Sequence, residues 1–475
     1  MSDRTADAHR TLRRDRVRFL GVAGTSVGIQ APAAGVTFLP ALMAGIVGVA
    51  GPLSFATAIV VMLFVAYAFV VYTREFASAG SVYAYNRQAM GSGYGFVSAW
   101  LLCFVYLAYA GSVYASNANG LVNLVHPSAV AGTAWLPAAV GLWAVTIALA
   151  YLSIRLSTLV TFALEGVALL LVAVVAVAVI ARGGYGGHGL SAAPFTPHGL
   201  PIGTIGLGVV FAFTGFSGFE VAATLGEESR RPTRIVPAAM VTALLVSGGI
   251  YALMSWVQTV AFRTPAALAA AAKHGVPLVS IADSYVGHGL GTVVNLAALF
   301  SGLGAQLATV NGATRLIYAL SRDGFGPTAL SRVHPRYGSP TAALAVAAVL
   351  SLVPVLALFR RPALLAFQDL ATYGADLIII VYLLTLLGAL VWSIRHRRCT
   401  PVRGALLVVG LALLGYVADK TVYPPPEAPF DLYLYAAAAT LVLGVALLAA
   451  SRRLRTRMAA SPLFSLSGSV GSDRR

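Results

Sequence analysis

The chain has 475 residues, of which 58% are hydrophobic and only 10% charged, and its formal net charge is +16. A soluble protein carries roughly 25% charged residues, so a water-facing surface of this size cannot be built from so few charges, and most of the surface must face lipid. The positive balance does not indicate nucleic acid: the basic residues lie at the ends and between apolar blocks, where the positive-inside rule accounts for them.

Residues 1–18 are polar and arginine-rich, with no small-residue cleavage site after an apolar core, so no removable signal peptide is expected. Apolar blocks then follow at 19–46, 52–73, 94–122, 134–153, 156–181, 203–224, 236–262, 289–320, 340–359, 364–393, 403–420 and 431–451. Each is long enough to cross a bilayer as a helix, which takes about 20 apolar residues. Helices are required because lipid offers backbone groups no partners. The blocks predict an all-α membrane protein of about twelve transmembrane helices. With the N-terminus inside, the inner segments hold 26 Lys and Arg residues and the outer segments 6. Both termini are therefore expected on the cytoplasmic side of the inner membrane. In the tail, 452–475, the arginines either touch anionic head groups or flank the last helix ahead of a disordered Ser/Gly-rich end.

Two blocks are interrupted. The first reads FLGVAGTSVGIQAPAAGVTFLPALMAGIVG, with Pro32 and Gly35 near its middle and Pro40 further on. A proline inside a helix removes a hydrogen bond and clashes with the preceding turn. In lipid this is tolerated only where the freed groups face protein, water or a ligand. The sixth block is weakened at a similar depth by Gly215 and Gly218. Breaks at matching positions in two halves are the pattern of an inverted-repeat transporter, whose half-helix ends present dipoles at the midplane. The alternative is close helix packing, of the kind the small pair Gly24 and Gly28 permits.

Three loops carry more specific information: Arg74-Glu75-Phe76-Ala77-Ser78-Ala79-Gly80-Ser81-Val82-Tyr83-Ala84-Tyr85, Gly226-Glu227-Glu228-Ser229-Arg230-Arg231-Pro232-Thr233-Arg234-Ile235-Val236-Pro237, and Ser321-Arg322-Asp323-Gly324-Phe325-Gly326-Pro327. In this order the chain resembles the amino acid–polyamine–organocation (APC) permeases over about residues 17–393. Ala77 and Arg231 depart from the family's usual proline and asparagine, and Ala33-Ala34-Gly35 stands where G-S-G is common. The resemblance implies a leucine-transporter-type fold of two inverted five-helix repeats, 19–181 and 203–393, with two C-terminal helices in 403–451. It also implies secondary transport of amino acids or related amines, with a proton as the expected coupling ion.

The same resemblance implies a site. A substrate carboxylate would meet amides of Ala33, Ala34 and Gly35, and an ammonium would meet carbonyls among Thr214, Gly215, Phe216, Ser217 and Gly218, since amide ends attract anions and carbonyl ends cations. Phe216 would be a gate, and Tyr106, Tyr109 and Thr309 would line the pocket by position or else serve as packing. Glu165, Glu220 and Asp376 lie inside apolar blocks, where a charge costs at least about 2.5–3.5 kcal/mol. They are expected to face the interior, to be protonated, or both. Glu220 matches the glutamate at the family's break in helix six and is the first candidate for proton coupling or gating. Glu165 and Asp376 could carry a proton, bind a cationic group or cap a helix–helix hydrogen bond. The fifth block lacks the lysine that some proton-coupled relatives use, which weakens that mechanism without favouring sodium. Glu227, Glu228, Arg230, Arg231 and Arg234 read either as switching salt bridges or as a solvated loop.

Enzyme chemistry has no support. The eight histidines form no H-E-x-x-H pattern, no G-x-x-x-x-G-K-[ST] is present, and Cys103 and Cys399 have no disulfide or metal-like spacing. No cofactor, metal or catalytic residue is expected. The partners expected are a small-molecule substrate, a coupling ion and the lipid bilayer. An amine antiporter and a substrate-sensing receptor on the same fold are the competing readings. Substrate identity, direction and oligomeric state are not legible.

Overall fold

The computed structural model describes residues 18–75, 81–125, 134–152, 154–187, 189–229, 231–274, 276–334, 339–423 and 430–450. The described residues are helical, with no strand. The first block divides into α1 (Phe19–Gln30), α2 (Pro32–Gly35) and α3 (Leu39–Val47), after which α4 spans Gly51–Glu75. The short α5 (Ser81–Met90) leads into α6 (Ser92–Val125), α7 (Trp135–Leu152) and α8 (Ile154–Ala181). The sixth block forms α9 (Ile202–Phe216) and then a 3₁₀ segment, Phe219–Glu228. Next come α10 (Pro232–Ala261), the short α11 (Pro265–His274) and α12 (Pro277–Tyr285), and α13 (Leu290–Arg322). The chain ends with α14 (Thr341–Ala357), α15 (Ala363–Arg395), α16 (Pro401–Val422) and α17 (Phe430–Ala450).

Each of the twelve apolar blocks coincides with helix. Among the described residues nine helical stretches are long and apolar enough to cross a membrane, and Trp135–Tyr151 and Thr341–Ala357 are shorter apolar helices. The protein is therefore a multi-pass, all-helical membrane protein. Prolines open α2, α3, α10, α12 and α16 at their first or second position, where the missing N–H has no helical partner to lose. Thr400 caps α16 by accepting from the Arg403 amide at 3.2 Å.

Burial separates core from periphery. The apolar window of α6 is 78% buried, whereas those of α16 and α17 are 22% and 11% buried. The central helix α6 thus packs against protein on nearly every side, and the last two helices lie outside the bundle with apolar side chains such as Leu432, Tyr435 and Val442 exposed, as lipid contact requires.

One stretch expected as loop is helix. Residues 81–90 form α5, whose polar side chains face the end of α13: Arg87 Nη1 lies 2.6 Å from Asp323 Oδ2, and the Tyr83 hydroxyl donates to the same carboxylate. Burial, with the Asp323 carboxylate beside it, pushes the Tyr83 phenol up. Phe325 stacks on Phe96 at 4.8 Å between ring centroids. A tie at the opposite end joins Arg361 to the buried Asp369, with Nε–Oδ2 at 2.7 Å and the Trp135 indole donating to the Arg361 carbonyl at 2.8 Å. Residue 230 and the side chains of Glu227 and Glu228 lie outside the described residues, as do the tail 452–475 and segment 1–17.

Candidate functional site

Both interrupted helices break where their sequences are weak. The helix α1 ends at Ala31, a non-glycine residue with φ of 40°; its amide still reaches the Val27 carbonyl at 2.9 Å. Pro32 has no N–H and the Ala33 N–H is turned to the Glu165 Oε1 at 3.1 Å. The carbonyls of Gly28 and Ile29 therefore lose their helical partners. In the second break, Gly218 has φ of 99° and its N–H turns to Glu220 Oε2 at 3.1 Å, which leaves the Thr214 carbonyl without its helical donor.

The two breaks are tied to each other and to α10. Gln30 Nε2 donates to the Phe216 carbonyl at 3.1 Å, and Ser26 Oγ donates to the Phe219 carbonyl at 3.0 Å while accepting from the Ala222 amide at 3.1 Å. From α10, the Tyr251 hydroxyl donates to the Gln30 carbonyl at 2.9 Å, Gln258 Nε2 to the Val36 carbonyl at 2.6 Å, and Ser247 Oγ to Gln30 Oε1 at 2.7 Å. Buried polar groups that are left unpaired each cost about 1–3 kcal/mol, so these side chains are what makes two broken backbones tolerable in a membrane core. The Tyr251 ring lies between the breaks: a Cβ at Gly35 would meet its Cε1 at 2.7 Å and one at Gly215 its Cε2 at 2.8 Å. Both positions need glycine because the ring fills that space.

Beside the breaks is a cavity of about 70 Å³. Of the residues named from sequence, Ala34, Gly35, Thr214, Gly215, Ser217 and Gly218 line it from the breaks, and Tyr106, Tyr109 and Thr309 from α6 and α13. Ala33 and Phe216 do not line it. Phe216 is fully buried and packs edge-on against Tyr251 at 6.0 Å, so its ring is part of the support behind the cavity. The amides of Ala33, Ala34 and Gly35 are engaged within the protein, by Glu165 Oε1, by Ser301 Oγ at 3.1 Å and by the Ala31 carbonyl at 3.0 Å.

The three carboxylates stand behind the wall. Glu220 is fully buried; its Oε1 accepts from the Tyr106 hydroxyl and its Oε2 from the Tyr382 hydroxyl, both at 3.0 Å. Tyr106 thus has its ring on the cavity and its hydroxyl on Glu220. Glu165 reaches from α8 to the first break, and its Oε2 has no hydrogen-bond partner among the described residues. Asp376 on α15 is 5% exposed and its Oδ1 is likewise without a partner. Among the described residues no group of three His, Cys, Asp or Glu could hold a metal ion.

The residues that sequence reasoning missed are Gln30, Tyr251, Tyr382 and Ser301. A signal existed for two of them. Gln30 is a polar residue immediately before the Ala31-Pro32 break, and Tyr251 shares with Gln258 the seventh apolar block, where a buried polar side chain needs a partner.

The cavity thus lies inside a multi-pass helical bundle and is lined by both broken helices, from Ile29 to Gly35 on one and from Thr214 to Gly218 on the other. The chain belongs to the amino acid permease family, whose model matches residues 18–445. It is 29% identical over 316 residues to the branched-chain amino acid permease BcaP of Bacillus subtilis, a match covering 61% of this chain and 64% of that permease. It is 30% identical over 348 residues to the uncharacterized transporter Rv1999c of Mycobacterium tuberculosis, covering 71% of this chain and 72% of the relative. The low-affinity putrescine importer PlaP of Escherichia coli is 26% identical over 345 residues, covering 66% of this chain and 71% of the importer.

Proposed function

We propose that the chain is a secondary transporter that moves amino acids or related amines across the cytoplasmic membrane by alternating access, coupled to protons. The observation that carries this reading is the cavity itself, bounded by both breaks and held between polar ties at the two ends of the bundle, Arg87–Asp323 and Arg361–Asp369. Ties of this kind suit a cycle in which one end opens while the other stays shut. The relatives named for a branched-chain amino acid and for putrescine support the substrate range. Residues 19–181 and 203–393 form the two inverted repeats of this reading, each opened by one of the breaks, with 403–451 appended. Both termini face the cytoplasm in this reading, as the split of 26 basic residues to 6 suggests. Glu220 is the coupling residue, because Tyr106 joins it directly to the cavity wall; Glu165 and Asp376 are further candidates.

Counterflow in proteoliposomes tests the transport reading. Vesicles holding the full chain and preloaded with unlabelled amine or amino acid should transiently accumulate the labelled compound above its outside concentration. A receptor or a channel on the same fold gives no such overshoot, and its absence for every amine and amino acid that binds would contradict the assignment.

A further inference from the structure

A second, smaller recess lies away from the breaks, where the end of α13 meets the start of α14. Asn311, Thr314 and Arg315 line it from α13, and Ser339, Pro340 and Leu344 from the other side. Ser339 is 5% exposed, and its Oγ is buried without a hydrogen-bond partner. Its carbonyl, in contrast, accepts from the amides of His334 at 2.9 Å and Thr341 at 3.0 Å. Thr314 Oγ1 gives its proton to the Val310 carbonyl at 2.8 Å, so the Ser339 hydroxyl proton is left to whatever enters. A buried hydroxyl with no partner is unfavourable, which makes this one a mark of something that completes it.

The surroundings favour an anion. The first bond inside α14 runs from the Leu344 amide to the Pro340 carbonyl at 2.9 Å. The N–H groups of Ala342 and Ala343 lie ahead of it and have no helical acceptor. The 17-residue helix also brings the positive end of its dipole to this point. Arg315 adds a formal charge, and no Asp or Glu lines the recess. A free hydroxyl, a helix N-terminus and a guanidinium together are the chemistry that receives an oxyanion.

Size and position narrow the occupant. At about 10 Å³ the space is that of one water molecule, so it admits a single oxygen of a larger group. Asn311, Arg315 and Pro340 are half-buried, so the recess reaches the surface and the remainder of the group can stay outside. The surface there is apolar on both flanks. Ala150 brings α7 to the recess, and Leu149 beside it is exposed, as are Val349 and Val353 further along α14. Tyr151, whose ring lies 6.3 Å from that of His334, is an amphipathic side chain of the kind that marks the head-group layer. A phospholipid already places its phosphate at this depth. In the orientation proposed above, the leaflet is the cytoplasmic one, where anionic lipids meet basic side chains.

We propose that this recess binds a phosphate oxygen of an anionic phospholipid. The site is independent of the substrate carried.

Thermal unfolding of the purified full-length protein in detergent would be followed on adding phosphatidylglycerol, phosphatidylcholine of the same acyl chains, or inorganic phosphate, since a ligand stabilises the state it binds. Phosphatidylglycerol is expected to reach its half-maximal shift at a concentration at least about tenfold below that of phosphatidylcholine. Ser339→Ala and Arg315→Gln should each raise that concentration by about tenfold. Ser339→Ala deletes a hydroxyl that the protein itself does not satisfy, so its lipid-free midpoint should equal or exceed that of the wild type; a lower one would show the hydroxyl paired within the protein and overturn the site. Arg395→Gln with Arg397→Gln, on the exposed loop after α15, should leave the phosphatidylglycerol response unchanged. An equal effect of that pair would reduce the binding to a diffuse basic surface. Wild-type phosphatidylglycerol affinity in Ser339→Ala would leave only water in the recess, and an equal shift with inorganic phosphate would make a free anion the occupant. Each of these three results overturns the proposal, as does an equal response to the two lipids.

Discussion

Gly218→Ala is expected to eliminate uptake, although the substitution adds one methyl group. Gly218 has φ of 99°, in a region that costs an L-residue about 1–2 kcal/mol. The added Cβ would also fall within the Ile29 side chain of the other broken helix, at its Cγ2, and overpacking of this kind costs about 1–3 kcal/mol. Relaxing either conflict turns the Gly218 N–H away from Glu220 and moves the Thr214 carbonyl out of the cavity wall. Together the terms amount to about 3 kcal/mol, or more than about a hundredfold in affinity. Uptake and equilibrium binding should fall together, with the variant still inserted and monodisperse in detergent. A Gly218→Ala protein that transports at the wild-type rate would show that the second break is not where substrate binds.

Glu220→Gln is expected to separate proton-driven uptake from exchange. The carboxylate receives the Gly218 amide and the Tyr382 hydroxyl on one oxygen and the Tyr106 hydroxyl on the other. A glutamine nearly matches its shape and can still accept from Gly218 and Tyr382 through its carbonyl oxygen. Its NH₂ then faces Tyr106, which must turn its own proton away. The fold is expected to survive, while the residue can no longer bind or release a proton. Uptake driven by an inward proton gradient should drop at least about tenfold, equivalent to one lost interaction of ~1.4 kcal/mol in the coupled step, and lose its dependence on external pH. Counterflow, which needs no net proton movement, should persist. An unaltered pH profile would remove Glu220 from the coupling scheme.

These two residues also show what was legible in the sequence. Helix number and extent could be read because each crossing needs a long apolar run, and such runs are unmistakable in a chain with 10% charge. Pro32 and Gly218 marked the breaks because their backbone chemistry is local. The short α5 was missed, since Ser81–Met90 is only 10 residues long and is held by Asp323, some 240 residues further on. The support of the site was missed for the same reason. Tyr251 satisfies the Gln30 carbonyl from 221 residues away and Tyr382 reaches Glu220 from 162; such pairings are fixed by packing, which no local pattern encodes. Phe216, for which the family resemblance implied a gate, is fully buried and packs edge-on against Tyr251 in this structure, a placement that local sequence does not encode.

The account depends on substrate occupying the space between the two breaks, and filling that space from a helix that belongs to neither break tests it most directly. Ala371 on α15 is 4% exposed and lines the cavity from a helix that carries neither break, so Ala371→Trp adds bulk there without altering the sequence of α1, α2 or α9. The measurement is equilibrium binding, on wild type and variant, of the compound that the wild type exchanges, with gel filtration confirming an intact fold. Affinity should fall by more than about a hundredfold, the loss of roughly 3 kcal/mol of contact. Full affinity in a folded Ala371→Trp protein would mean that the ligand binds elsewhere.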